Sequence, residues 1–263
     1  MTSDPIFLVP REHGAYGQLA FPLLTSFAVA GVSRPSLLIA TSAIAGFLAH
    51  EPLLVLLGRR GARAQRDHHR PAIIALAVES TIGAAAGLSA IVLASHEMRW
   101  SLLLPLAPAA LLAIAIAIEH EKRALGEVAA AVTFSSVAVP IALAAGASLR
   151  VALGIGIAFA AIFVTATLAV RVVILRVRGG GKPRAERNTR ITVWIVSAAL
   201  LASIAWASAR HVTPWATMAA AAPGVVGAVW LSMRPPSPAY LRTVGWTLVA
   251  TSAFAALVLI LTL

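Results

Sequence analysis

Long apolar runs separated by short polar breaks set the elements of this chain. After a short polar lead, PREHGAYGQLAFPLL opens a run that continues to about Val32 and is broken by Ser33-Arg34-Pro35. A second run, from about Ser36 to Leu57, meets a basic loop over Gly58 to Arg70; a third runs from Pro71 to about Ala94 and ends at His96-Glu97-Met98-Arg99. The fourth, about Trp100 to Ile118, stops at Glu119-His120-Glu121-Lys122-Arg123, and the fifth covers about Ala124 to Gly146. A sixth, about Leu149 to Leu175, opens into a second basic loop, Arg176 to Arg190. Runs seven (about Ile191 to Ala209), eight (about Val212 to Met233) and nine (about Tyr240 to Leu263) complete the pattern. A spanning helix takes about 20 apolar residues to cross about 30 Å of hydrocarbon. The pattern predicts an all-α polytopic membrane protein of about nine transmembrane helices, one integral membrane domain over residues 1–263 with no room for a soluble domain beside it. In the third run Gly83 and Gly87 form GxxxG, a face for close helix packing.

The cationic residues orient the bundle. With the N-terminus inside, 16 of the 21 Lys and Arg fall on the inner side and four (Arg34, Arg99, Arg150, Arg210) on the outer, while Arg171 lies within run six. The positive-inside rule then predicts N-in, C-out. Composition agrees with the membrane reading: 59% of residues are hydrophobic, 12% are charged and the mean hydropathy is +0.88. The formal charge of +11 is explained by loops between apolar spans, so nucleic acid is not an expected partner; the bilayer is. Zero cysteines exclude disulfides, thiolate metal sites and a Cys nucleophile. The N-terminus lacks the basic region and cleavage pattern of a secretory signal, so the first span is expected to be retained.

Ionisable residues inside spans are costly and mark cavities or partners. At 1.5 Å per residue, Glu51 lies roughly 9 Å from the inner end of span two and Glu79 roughly 12 Å into span three, and neither has a cation three or four residues away. Pro52 cannot donate to the carbonyl of Leu48, nor Pro22 to that of Gln18, so the His50-Glu51-Pro52 turn is expected to kink. These positions predict a polar cavity open to the cytoplasm, lined by spans one to five. Within it His50, Glu51 and Glu79 are candidates for acid/base work; Glu12, His13, Arg66, Arg70, Arg171 and Arg187 are candidates for holding an anionic substrate, with Arg59, Arg60, Arg184 and Arg190 nearby. Plainer readings stand beside these: Glu127 and Glu119 are spaced for helix-surface pairs with Arg123, and Arg171 can snorkel to the headgroups. GGGKP lacks the phosphate-loop spacing and HEPLL lacks the second His of HExxH, so neither motif is assigned, and no metal ligands are.

The opening PREHGAYGQLAFPLL resembles that of the YwiC-like bacterial membrane proteins, as do Glu51-Pro52 and Val170-Arg171, and the likeness is expected to cover the full length. It implies a multi-pass protein of the bacterial cytoplasmic (inner) membrane. More distantly, nine spans with basic loops after the second and sixth resemble the UbiA superfamily of intramembrane prenyltransferases, with Arg66-Asp67-His68-His69-Arg70-Pro71 similar to its Arg-x-x-x-Arg-Pro. That resemblance implies a UbiA-like bundle, a lipidic, isoprenoid-type substrate and magnesium. The aspartate-rich motifs that hold magnesium are absent: LLVLLGRRG stands where the first would begin, and the second basic loop has no aspartate. Three functions stay open: a divergent UbiA-like enzyme or binder of an anionic or isoprenoid lipid, a small-molecule or proton-coupled transporter, and a non-catalytic membrane assembly partner.

Overall fold

The computed structural model describes residues 8–10, 13–117, 124–178, 183–234 and 241–263. Eleven helices occupy them: α1 (His13–Ala30), α2 (Arg34–Leu56), α3 (Ala62–Leu93), α4 (His96–Ser101), α5 (Leu103–Ala117), α6 (Ala124–Ser136), α7 (Ala138–Ala144), α8 (Leu149–Arg178), α9 (Pro183–Ala209), α10 (Trp215–Met233) and α11 (Leu241–Thr262); no strand occurs among the described residues. Two pairs are single spans interrupted by proline. Pro105 cannot serve the carbonyl of Ser101, where α4 gives way to α5, and Pro140 cannot serve that of Ser136, where α6 gives way to α7. Among the described residues eight segments are long and apolar enough to cross a membrane, and the 18-residue α1 fills the place of the first predicted span.

Helix α8 is the hub, packed on α6, α7, α9 and α10 and touching α1 and α11. Its Phe159, Ile155 and Ile162 are fully buried with Ile204 of α9, Val225 of α10 and Leu259 of α11. Two glycines permit this: a Cβ on Gly154 would stand 2.7 Å from Thr217 Oγ1 and 2.9 Å from Pro214 Cδ, and one on Gly156 2.7 Å from Val139 Cγ2. Small residues take this role where helices meet inside a bilayer.

At the edge of the bundle, α2 and α3 form an antiparallel hairpin that packs along its whole length. The predicted GxxxG face is its seam, where Ser42 Oγ donates to the Gly83 carbonyl at 2.9 Å and a Cβ on Gly87 would lie 3.1 Å from Ser42 Oγ. Ser33 caps α2 in a reciprocal pair with Ser36 and donates to the Ala144 carbonyl at 2.7 Å, tying this end of the hairpin to α7.

The basic loops are shorter than hydropathy predicts. Helix α3 starts at Ala62, nine residues before Pro71, so the expected Gly58–Arg70 loop is a tight turn over 57–61, with Gly58 (φ 73°) and Gly61 (φ 94°) in the left-handed region. ARAQRDHHR holds no glycine or proline and continues the helix beyond the apolar stretch; the Asp67 carbonyl that Pro71 leaves unserved lies where both residues are exposed. Likewise α8 reaches Arg178 and α9 begins at Pro183, so most of the Arg176–Arg190 stretch is helical too. Helix α2 runs unbroken through Pro52.

Candidate functional site

The α2–α3 turn folds back on itself. Arg59 N–H donates to the Leu54 carbonyl at 2.9 Å, and the Gln65 side chain donates to the Leu56 carbonyl at 2.7 Å. That geometry carries Arg60 under α2, where its Nε lies 2.9 Å from Glu51 Oε1 and its Nη2 contacts Oε2. The pair is nearly dry, with the Arg60 side chain 16% and the Glu51 side chain 2% exposed. A two-point arginine–carboxylate contact of this kind is among the stronger charge-assisted interactions. Arg59 reaches across to the Ile116 carbonyl near the end of α5 at 3.4 Å.

A second ion pair crosses between helices. Arg171 of α8 donates to Glu127 Oε2 of α6 at 3.0 Å, so Arg171 is not simply snorkelling, and Glu127 has a partner from another helix rather than only one from its own. Arg123 and Glu119 lie outside the described residues, as does Glu12; His13 begins α1. Arg190 pairs with Glu186 one turn earlier on α9. Arg66 and Arg70 on α3 and Arg187 on α9 are exposed, while His50 is half-buried.

Glu51 and Glu79 do not share a cavity. Glu79 lines a groove of about 460 Å³ with Ser42, Gly46 and Ala49 of α2 and Ser80 and Ala84 of α3. At 100° per residue those three α2 positions lie about 140–200° around the helix from Glu51, on its far side. The predicted common site for His50, Glu51 and Glu79 is thus divided by α2 itself: Glu51 faces the bundle and Glu79 faces out. Oε2 of Glu79 is shut from solvent and has no hydrogen-bond partner among the described residues.

A feature that the polar residues did not reveal lies between α1 and α2. Both helices pack on α7, and between them runs an apolar cleft of about 340 Å³ lined by Tyr16, Leu19, Leu23 and Phe27 of α1 and by Ile44 and Phe47 of α2. The Tyr16 ring meets Phe47 edge-on at 4.9 Å, and Phe47 meets Phe134 of α6 at 5.6 Å. Tyr16 Oη donates to the Pro10 carbonyl at 2.9 Å, fixing the ring at the mouth. Phe47 precedes Glu51 by one turn, so the cleft's floor adjoins the buried ion pair. Positions 16, 19, 23 and 27 share one face of a helix, but such a stripe does not say which neighbour it fails to touch.

Magnesium, which the UbiA resemblance implies, takes a set of oxygen ligands dominated by carboxylates and substrate phosphates. Among the described residues no three His, Asp or Glu side chains come together. Glu51 and Glu127 are engaged with arginines, and Glu79 stands on another face. These donors do not fit a magnesium–diphosphate centre.

No curated protein and no solved structure matches the chain. A family model described as YwiC-like protein matches residues 9–143, just over half of the 263 residues. The match is shorter than the expected full length and leaves out Val170-Arg171, but it takes in the Pro10 to Tyr16 opening, the cleft, the groove and the Glu51–Arg60 turn. This multi-pass membrane protein belongs to the YwiC-like family.

Proposed function

We propose that the protein is a membrane-embedded binder of an anionic amphiphile, whose hydrocarbon or isoprenoid chain lies in the α1–α2 cleft and whose head rests at the basic end of the bundle. The cleft carries this reading. From Tyr16 to Phe27 it runs 11 residues of α1, about 16 Å or half of the hydrocarbon layer. Its lining offers almost no hydrogen-bonding group, so a flexible apolar chain is the ligand part that it suits. The basic end is taken as cytoplasmic by the positive-inside rule, where exposed Arg66, Arg70 and Arg187 raise the local concentration of anionic heads. His50, half-buried two positions after the cleft residue Leu48, is the nearest titratable group of α2 to that head other than Glu51. In this reading Glu51 and Glu127 hold Arg60 and Arg171 in place and transfer no proton, and binding, rather than UbiA-like prenyl transfer, is what the residues support.

Photolabelling tests it. The full chain in nanodiscs is exposed to diazirine-bearing phosphatidylglycerol and, separately, to diazirine-bearing farnesyl phosphate. The expected adducts map to α1 and α2 with one of the two probes, and Ala20→Trp, which fills the cleft from an exposed position, lowers labelling at least tenfold. Adducts spread evenly over all lipid-facing helices, with no change in Ala20→Trp, would sink the reading.

A further inference from the structure

On α2 the cleft and the buried ion pair belong to one face. At about 100° per residue Ala40, Ile44, Phe47 and Leu48 spread over about 100° of the helix, and Glu51 falls near the middle of that arc, about 6 Å nearer the basic end than Phe47. The apolar slot therefore runs onto the Glu51–Arg60 pair. A second pair lies at similar depth on the neighbouring helix. Phe47 meets Phe134 of α6 at 5.6 Å. Glu127, seven residues before Phe134, returns to within about 20° of the same face and lies about 10 Å nearer the basic end. There Arg171, from α8, donates to Glu127 Oε2 at 3.0 Å. Two arginines from separate elements, each braced by a carboxylate, thus stand at one end of the cleft, about one helical turn apart in depth.

We propose that Arg60 and Arg171 bind the head of the cleft's ligand and that this head is a terminal phosphate, an assignment that rests on the α1–α2 cleft holding the ligand's chain. Charge and shape select the head. A terminal phosphate carries about two negative charges and three strong acceptor oxygens, and an arginine fork takes phosphate oxygens two at a time. Two forks engage such a group from two sides, whereas a phosphodiester has only two free oxygens and a single charge. With side chains 16% and 26% exposed, Arg60 and Arg171 are reachable from the basic end yet partly shielded from water, which strengthens their pull on an anion. The carboxylates fix each fork before the ligand arrives, lowering the cost of ordering it. Glu127 also opposes the phosphate's charge, so it holds Arg171 at some expense of affinity.

Two diazirine probes that differ only in the head, dodecyl phosphate and dodecanol, test this on the full chain in nanodiscs. Both should label α1 and α2 and lose that labelling in Ala20→Trp, and the phosphate should half-saturate at a concentration at least tenfold lower. Arg171→Gln should raise the half-saturating concentration of the phosphate at least tenfold and leave that of the alcohol unchanged. Arg60→Lys, which keeps a cation beside Glu51, should raise it at least fivefold, because a point charge lacks the fork. Glu127→Gln breaks the same ion pair as Arg171→Gln but should tighten phosphate binding at least twofold; a pair of purely structural value would make the two variants alike. Arg150→Gln, at the other end of α8, should change neither probe. Inorganic phosphate at the probe's concentration should not displace it; displacement would assign the site to free phosphate and overturn the chain-borne head. Probes that bind alike, or equal losses in Arg171→Gln and Glu127→Gln, would overturn the head assignment and leave the cleft standing if Ala20→Trp still removes labelling. Labelling indifferent to Ala20→Trp would remove both.

Discussion

Glu51 tolerates its place inside the bundle because a nine-residue return brings Arg60 to it, and the same return makes each residue dependent on the other. Removing one partner strands a charge where water hardly reaches, which costs about 3–5 kcal/mol. Glu127 and Arg171 are a weaker case: their side chains remain 35% and 26% exposed, and such pairs contribute about 0–1 kcal/mol. Denaturation in detergent micelles should therefore rank Glu51→Gln and Arg60→Gln together as severe and Glu127→Gln as mild. The double variant Glu51→Leu with Arg60→Met should recover most of the loss, since apolar groups of similar volume replace buried ion pairs at little cost. A wild-type midpoint for Glu51→Gln would refute the clamp. Glu51 stands out in the sequence but its partner does not, because Arg60 lies nine residues on rather than at the three or four that share a helix face. The partner sits across a turn whose tightness depends on two glycines at positive φ.

Helices of this bundle approach as closely as their small residues allow, and the glycines of α8 are the sharpest instance. Gly154→Ala drives a methyl into Thr217 and Pro214, and Gly156→Ala into Val139, so each should cost about 1–3 kcal/mol as overpacking does. Gly227→Ala on α10 meets nothing within 4 Å and should be neutral or gain up to about 1 kcal/mol from helix propensity. Equal effects at positions 154 and 227, read as unfolding midpoints of the purified variants, would remove α8 from its central place. The order of the apolar helices was legible in the sequence, with eight of the nine expected spans long and apolar enough to cross a membrane among the described residues, because an apolar run of the right length admits little but a helix in lipid. So was the Gly83–Gly87 seam. The helix ends were not: hydropathy reports where the chain leaves hydrocarbon, and α3 continues as helix for nine residues before Pro71 because nothing in ARAQRDHHR stops it. The α1–α2 cleft was also invisible, since it arises from two helices that both prefer α7 to each other.

At the scale of the whole molecule, two independent residue types mark the same pair of planes. All six tryptophans face outward: Trp100, Trp206 and Trp215 near one end of their helices, and Trp194, Trp230 and Trp246 toward the other. Tryptophan collects at both membrane interfaces because its ring is apolar and its N–H is not. Beyond the second plane rise the first turns of α3 and α9 with exposed Arg63, Arg66, Arg70, Arg184 and Arg187; beyond the first, among the described residues, stand Arg34, Arg99, Arg150 and Arg210. By the positive-inside rule this imbalance predicts that the α2–α3 turn lies in the cytoplasm. The cysteine-free chain makes the orientation directly measurable. A membrane-impermeant maleimide applied to intact cells should modify Arg99→Cys and Arg150→Cys and should reach Arg66→Cys and Arg187→Cys only after permeabilisation. The reverse pattern would place the basic end outside and remove the head-group half of the proposed lipid site. Labelling of position 66 without position 187 from one side would mean that the two basic ends lie on opposite faces, and so that the span count between them is wrong by one.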